Sequence, residues 1–337
     1  MTPFRTDLPL AAELAAAVTA VRQAAALCRE VQAAIDPGAL AKSDRSPVTV
    51  ADFGSQALVC RILGQAFPDD PVIGEEDAAA LRDPAHAALR DRVVGLVATQ
   101  TGDADAARVL TWIDRGDAKE ASPRFWTLDP IDGTKGFLRG GQYAIALALI
   151  LDGEIALAAL GCPNLGARLD GPCGDGTLLC AVRGEGTWEL PLLGEGEPRR
   201  VQVSAESATA GIRFCESVES GHSAHGESAR LAAHLGITAE PVRLDSQAKY
   251  AVVARGEAEA YLRLPRDDVY REKIWDHAAG VLCVTEAGGR VTDVLGRDLD
   301  FARGYRLEGN RGVAVANGPL HTPLVEAMAD LGIGRFA

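Results

Sequence analysis

The 337-residue chain has no apolar run long enough to cross a bilayer. Its longest, Ala144 to Leu151, is only strand-sized, far short of the roughly 20 residues a spanning helix needs. The N-terminus has no basic segment leading into an unbroken apolar core, so neither a secretion signal nor a membrane partner is expected. Seven cysteines, an odd number without a CxxC pair, exclude a disulfide framework and point to reduced thiols in a cytoplasmic setting. Basic charge is also scarce. With 34 Lys and Arg against 47 Asp and Glu, the formal net charge is −13, which excludes a nucleic-acid polymer as partner because such binding needs a basic face. A P-loop, a GxSxG elbow, an HExxH helix and a strand-borne GxGxxG are all missing. No obligate protein partner is evident. A small anionic substrate, received by cations and a few local basic residues, remains open.

The composition, 47% apolar and 24% charged, is that of an ordinary globular protein, and the length suits two domains. The glycine-rich segment Gly194 to Pro198 is the natural linker, so the expected division is 1–195 and 196–337. Leu10, Leu14, Val18, Val21, Cys28, Val31 and Ile35 share one helical face, stopped by Asp36-Pro37-Gly38. A second helix is predicted from about Val50 to Ala66, a strand over Pro71 to Gly74, and an alanine-rich helical stretch over 85–110 apart from Asp103. Asp152-Gly153 between two apolar runs reads as a hairpin, and strands follow over Thr177 to Val182 and Gly186 to Leu190. Beyond the linker, strands near 212–215, 241–244, 259–264 and 312–316 alternate with helices near 224–235, 246–255, 275–287 and 320–332. The expected class is α/β, layered helix and sheet in two lobes with a cleft between them.

The chemistry concentrates in Trp126-Thr-Leu-Asp129-Pro130-Ile-Asp132-Gly133-Thr134. An apolar strand over Phe125 to Leu128 is expected to end in two aspartates separated by a stiffening proline, with Gly133 and Thr134 opening a helix. Two desolvated carboxylates that close repel each other and take up a proton or a cation. Beside them, the free N–H groups of a helix start suit a phosphate. Carboxylates repel phosphate unless divalent cations lie between, so the arrangement implies metal-assisted phosphate chemistry. Other acids have bland readings when taken alone. Asp52 is expected in the first turn of its helix, where the dipole favours an acid. Glu75 and Glu76 follow a strand, and Asp276 suits an N-cap or first turn. His222 and His225 lack further ligands at zinc spacing. Lys249 and Arg263 would ordinarily be solvated charges.

Taken together, Gly74-Glu75-Glu76, Asp129-Pro-Ile-Asp-Gly-Thr134 and Trp275-Asp276-His-Ala-Ala-Gly280 resemble, in order, the three motifs of the lithium-sensitive, magnesium-dependent phosphatase superfamily typified by inositol monophosphatase. The resemblance spans essentially the whole chain. Lys42 through Asp52, Asp129 through Gln142, Glu219 through His225, Leu244 through Tyr250 and Tyr261 through Pro265 look like the 3′(2′),5′-bisphosphate nucleotidase branch. Lys135-Gly136-Phe137, where inositol monophosphatases tend to have Thr-Asn-Phe, agrees with that branch.

The resemblance implies a two-lobed αβαβα fold, related to inositol monophosphatase and fructose bisphosphatase, with the active site between the lobes. It implies two or three Mg²⁺ ions. Glu75, Asp129 and the carbonyl of Ile131 would hold the first. Asp129 would bridge to a second, completed by Asp132 and Asp276, and a third would lie near Asp52 and Glu75. Asp52 would activate water through the Thr134 hydroxyl, while the Gly133 and Thr134 N–H groups hold phosphate oxygens. His222, Ser246, Lys249 and Arg263, with Asp276, would contact an adenosine bisphosphate substrate. The implied activity is hydrolysis of the 3′-phosphate of adenosine 3′,5′-bisphosphate, with 3′-phosphoadenylyl sulfate as a second substrate, inhibition by Li⁺ and a place in sulfur metabolism. The rival readings are an inositol- or sugar-phosphate phosphatase of the same superfamily and a non-catalytic binding module.

Overall fold

A computed structural model of the chain describes residues 7–35, 46–218, 225–265 and 267–335. Helices α1 (Ala11–Ala33) and α2 (Ser46–Ala66) lead to strand β1 (Val72–Gly74). Short α3 (Ala79–Arg82), α4 (Ala87–Thr101) and α5 (Ala106–Asp114) follow. The helical stretch expected over 85–110 is thus divided. Gly102 turns left-handed at φ 76° to end α4, and the Asp105 side chain caps α5 by accepting from the Arg108 N–H.

A seven-stranded sheet holds β1, β2 (Arg124–Asp132), β3 (Ala144–Leu151), β4 (Glu154–Cys162), β5 (Thr177–Val182), β6 (Gly186–Pro191) and β7 (Arg199–Val201) in that order. Only β1 and β2 run parallel; the other neighbours are antiparallel. The hairpin expected at Asp152-Gly153 forms with both residues at positive φ, 50° and 83°, the requirement of a type I′ turn. Between β2 and β3 lies the short helix α6 (Thr134–Leu138).

Strand β8 (Phe214–Glu216), helix α7 (His225–Leu235), β9 (Val242–Arg243), α8 (Ala248–Ala254), β10 (Ala260–Arg263), α9 (Ala278–Glu286), β11 (Gly289–Thr292), β12 (Val313–Asn317) and α10 (Gly318–Asp330) complete the chain. Their strands form a second sheet in the order β11-β12-β10-β8-β9. Two short strands escaped the sequence reading, β7 and β11. Helix α9 starts at Ala278 rather than near 275, which leaves Asp276 ahead of it.

Three apolar cores fill the spaces between five layers, the second spanning both faces of the central helices. Trp126, Leu147 and Leu157 point from the large sheet toward α1 and α2, where they meet Val18, Val21 and Leu58. The opposite face presents small residues, Ala144, Ala146, Ala148 and Ala158, against Ala278, Ala279 and Leu282 of α9. That explains why Ala144–Leu151 reads as an unbroken apolar run: the strand is buried on both sides. Helices α8 and α9 thus lie between the sheets, and α7 and α10 cover the far face of the smaller one, with Leu231, Leu320 and Leu324 in its core. Helix α1, at 23 residues, has the length and composition to span a bilayer. More than half of its apolar window is buried, and Leu14, Val18, Val21 and Leu27 sit within the first core.

Candidate active site

The parallel pair β1 and β2 sets the site. Their register places Gly74 opposite Leu128, so Glu75 and Asp129 leave the ladder side by side. Strand β2 does not stop at Leu128 as expected; it continues through Asp132 with an irregularity. Asp129 pairs with Ala146 and Asp132 with Ala144, three steps on β2 against two on β3. The extra residue is a bulge, a place where a proline without an N–H is tolerated. Without it, strand alternation would send Asp129 and Asp132 to opposite faces. With it, both line one cavity of about 350 Å³, together with Glu75, Ile131, Asp276, Lys249 and Arg263.

The carboxylates are close enough to perturb one another. Asp129, 2% exposed, is held well above the usual carboxylate range by burial, then by repulsion from Glu75, Asp132, Asp276 and Asp52. Glu75 opens onto the cavity but is ringed by protein. That crowding first, and repulsion from Glu76 and Asp132 next, push its pKa up to about 7. Asp129 lies beside Glu75, and each perturbs the other. Asp276 is raised by burial, against the pull of Arg263, and further by Asp132, Glu272 and Glu75. Asp52 is raised by burial and then by Glu76 and Glu75. One oxygen of Asp52 and one of Asp129 are buried without a hydrogen-bond partner. Orphaned carboxylate oxygens in a self-repelling cluster fit a divalent cation, and a donor set that among the described residues is hard oxygen without thiol or imidazole fits Mg²⁺.

Asp52 is the seventh residue of α2, one turn beyond the expected first turn. The helix dipole therefore does not account for it. Asp52, Ser55 and Gln56 form a polar stripe at i, i+3 and i+4 on a helix whose other inward residues are apolar. Ser55 Oγ donates to the Pro130 carbonyl at 2.9 Å, inside the bulge. Gln56 accepts from the Glu76 N–H at 3.1 Å and donates to the carbonyls of Glu76 and Ile113. A Cβ on Gly74 would lie 2.7 Å from Gln56 Oε1, so that glycine makes room for the clamp. Sequence reasoning missed Ser55 and Gln56; polar residues at i+3 and i+4 from Asp52 on an otherwise apolar helix face were the available signal, and the structure shows both fully buried.

The second lobe closes the cavity. Gln247, also missed, donates its N–H to Asp132 Oδ2 at 2.6 Å and its side-chain amide to the Trp275 carbonyl at 2.9 Å. It also accepts from the Gly280 N–H at 3.1 Å. One residue thus ties the bulge to the segment carrying Asp276. Ser246 lines the cavity at φ 65°, tight against Gly133, whose own φ is 90°. Gly133 and Thr134 line the cavity at the start of α6. Lys249 is 3% exposed; burial lowers its pKa to about 8, and its ammonium donates to the carbonyls of Ser246 at 2.8 Å and Leu244 at 3.2 Å. Arg263 pairs with Glu272 at 3.1 Å. The structure therefore brings together Asp52, Glu75, Asp129, Ile131, Asp132, Gly133, Thr134, Ser246, Lys249, Arg263 and Asp276, while His222 lies outside the described residues.

Two other features stand beside this centre, the first of them sharing Asp276 with it. Ligand atoms of Glu272, Asp276 and His277 approach within 4.8 Å of one another, but Glu272 already pairs with Arg263 and His277. A larger recess of about 690 Å³ beside β5 and β6 holds Arg255, whose charge is offset by Glu189 at 2.9 Å and by Glu257.

The profile of the Inositol monophosphatase family matches residues 7–331. A curated 3′(2′),5′-bisphosphate nucleotidase of Schizosaccharomyces pombe is 44% identical, over 94% of this chain and 95% of the relative. One of Oryza sativa is 43% identical, over 96% and 95%. Among solved structures, an inositol monophosphatase from Anabaena superposes with a TM-score of 0.62 at 20% identity, covering 94% of this chain and 95% of that one. The expected αβαβα fold is the one observed, and the chain belongs to the inositol monophosphatase family.

Proposed function

We propose that the chain is a magnesium-dependent 3′(2′),5′-bisphosphate nucleotidase that hydrolyses adenosine 3′,5′-bisphosphate to AMP and phosphate. The observation that carries this reading is one cavity that brings the carboxylates of Glu75, Asp129, Asp132 and Asp276 together with the cations Lys249 and Arg263; Asp245 and Lys135 also line it, and Asp245 is paired with Arg139. The acids suit metal-mediated capture of the scissile phosphate. The bases suit a second phosphate that a monoester would not offer. The names of the relatives point the same way.

Glu75, Asp129, the Ile131 carbonyl, Asp132 and Asp276 would hold two Mg²⁺ ions, with a third near Asp52. Bound there, magnesium supplies charge neutralisation and a more acidic water. Water adds in line to the 3′-phosphorus. Its proton passes through the Thr134 hydroxyl to Asp52, whose raised affinity for protons suits it as acceptor. The P–O3′ bond breaks as the N–H groups of Gly133 and Thr134 steady the equatorial oxygens; the departing O3′ takes a proton from solvent to give AMP, and Asp52 returns the proton it accepted to solvent. Ser246, Lys249, Arg263 and His222 receive the nucleoside and its 5′-phosphate. 3′-Phosphoadenylyl sulfate, with the same 3′ end, is a second substrate in this reading, and Li⁺ inhibits by taking a magnesium position. The free cysteines suit a reducing, cytoplasmic compartment, and the sulfated nucleotide as second substrate gives the enzyme a role in sulfur metabolism.

A phosphate-release assay tests this across adenosine 3′,5′-bisphosphate, 3′-phosphoadenylyl sulfate and inositol 1-phosphate, with and without Li⁺. The expected result is kcat/KM at least about tenfold higher for the bisphosphate than for the inositol ester. A preference for inositol 1-phosphate would assign the chain to the other branch.

A further inference from the structure

Arg263 is not left to find a phosphate by itself. Its Nε meets the Glu272 carboxylate at 3.1–3.2 Å, and its side chain lines the cavity beside Tyr261 and Tyr270. Glu272 is 6% exposed and is held in turn by His277 Nε2 at 3.2 Å. His277, 1% exposed, meets the Tyr250 hydroxyl through Nδ1 at 2.7 Å. Burial alone would raise the pKa of Glu272, but Arg263 and His277 outweigh it and hold the acid at about 2. His277 thereby bridges the Glu272 carboxylate through Nε2 and the Tyr250 hydroxyl through Nδ1. The Glu272 carboxylate thus sits between two partners, accepting from the Arg263 guanidinium on one side and meeting the His277 ring on the other.

Asp276 feels Arg263 as its strongest neighbouring charge. A guanidinium without its own partner would turn toward that acid and compete with the cation. Glu272 prevents this by engaging one edge of the guanidinium while the side chain stays at the cavity wall.

We propose that Tyr250, His277 and Glu272 are positioning residues that aim Arg263 at the phosphate not being hydrolysed and so set selectivity for a doubly phosphorylated nucleotide. The proposal rests on the function proposed above. None of the three is itself assigned contact with substrate.

The test is steady-state kinetics of the full chain at saturating Mg²⁺, comparing adenosine 3′,5′-bisphosphate with adenosine 3′-monophosphate. Glu272→Gln keeps the shape and removes the charge. It is expected to lower the bisphosphate-to-monophosphate ratio of kcat/KM about tenfold, chiefly through KM for the bisphosphate. In an Arg263→Ala background the same change should move the ratio no further, since the two act as one unit. Tyr250→Phe, which deletes only a hydroxyl, should lower the ratio by a smaller factor. His277→Gln, with an N–H near the Nε2 position, should keep more of it than His277→Leu. An unchanged ratio in Glu272→Gln, or an equal further fall in the Arg263→Ala background, overturns the proposal alone. If the wild-type chain fails to distinguish the two nucleotides, the substrate reading falls and this proposal with it.

Discussion

Asp129 sits at the centre of the repulsion, facing four other acids from a position almost without solvent. Replacing it by Asn removes that repulsion and one cation ligand at a stroke. Asp129→Asn is expected to melt higher than wild type in EDTA. Its phosphate release should fall by more than the tenfold to hundredfold, roughly, that loss of an outer partner of a metal ligand costs. Melting curves in EDTA and the release assay check both parts, and an Asn variant that melts lower would show that the repulsion is not felt. Asp129 and Asp132 were legible from residues alone, because a proline between two acids after an apolar strand has few structural explanations. Asp52 and Asp276 were not. Each has an ordinary reading beside a helix, and only the fold shows that both miss the helix position that reading requires.

At the level of elements, two small devices aim the carboxylates. The bulge in β2 resets strand alternation, and the Ser55 hydroxyl on the Pro130 carbonyl pins it. Helix α9 approaches the large sheet over a floor of alanines, and its Gly280 faces the Cβ–Cγ end of Tyr250, across the ring from the hydroxyl that meets His277. A Cβ there would collide with the ring, so Gly280→Ala is expected to cost about 1–3 kcal/mol of stability by overpacking. A denaturant midpoint unchanged from wild type would refute the close approach. Most elements were legible from periodicity and turn residues, including the Asp152-Gly153 hairpin and the second helix apart from its first turn, which begins at Ser46 and not near Val50. Strands β7 and β11 were not, being three and four residues long with half-exposed, polar sequences such as Arg199-Arg200-Val201. The bulge was not legible either, because its signature is a count against a partner strand that the sequence does not display.

For the whole molecule, layering sets how stability depends on pH and cations. Acids from α2, β1, β2 and the approach to α9 meet across layers, and their raised proton affinities exist only in the folded state. Glu75, ordinarily 4.5 and about 7 here, keeps a proton in the folded chain that the unfolded chain releases. Without divalent cations, stability should therefore fall as pH rises from about 4.5 to about 7. Lys249, lowered to about 8, has the opposite dependence, with stability rising with pH above that value, so it does not compete within this window. Mg²⁺ should accordingly raise Tm more at pH 7.5 than at pH 5. Equal shifts at both values would mean that the acids do not share a cation site. That cross-layer meeting was the part of the site least legible in sequence. Motif order suggested that Glu75, Asp129 and Asp276 belong together, but Gln247, which holds Asp132 and the Trp275 carbonyl at once, is an unremarkable glutamine until the lobes are seen packed.

The distance between Glu75 and Asp129 along the polypeptide is taken up by a detour through α3, α4 and α5, yet across the β1–β2 ladder they are neighbours. Their separation is thus a property of strand registration and not of loop length. Lengthening or trimming the detour around Gly102 leaves the pair where it is, whereas a slip of a single residue between the two strands would turn one carboxylate to the wrong face.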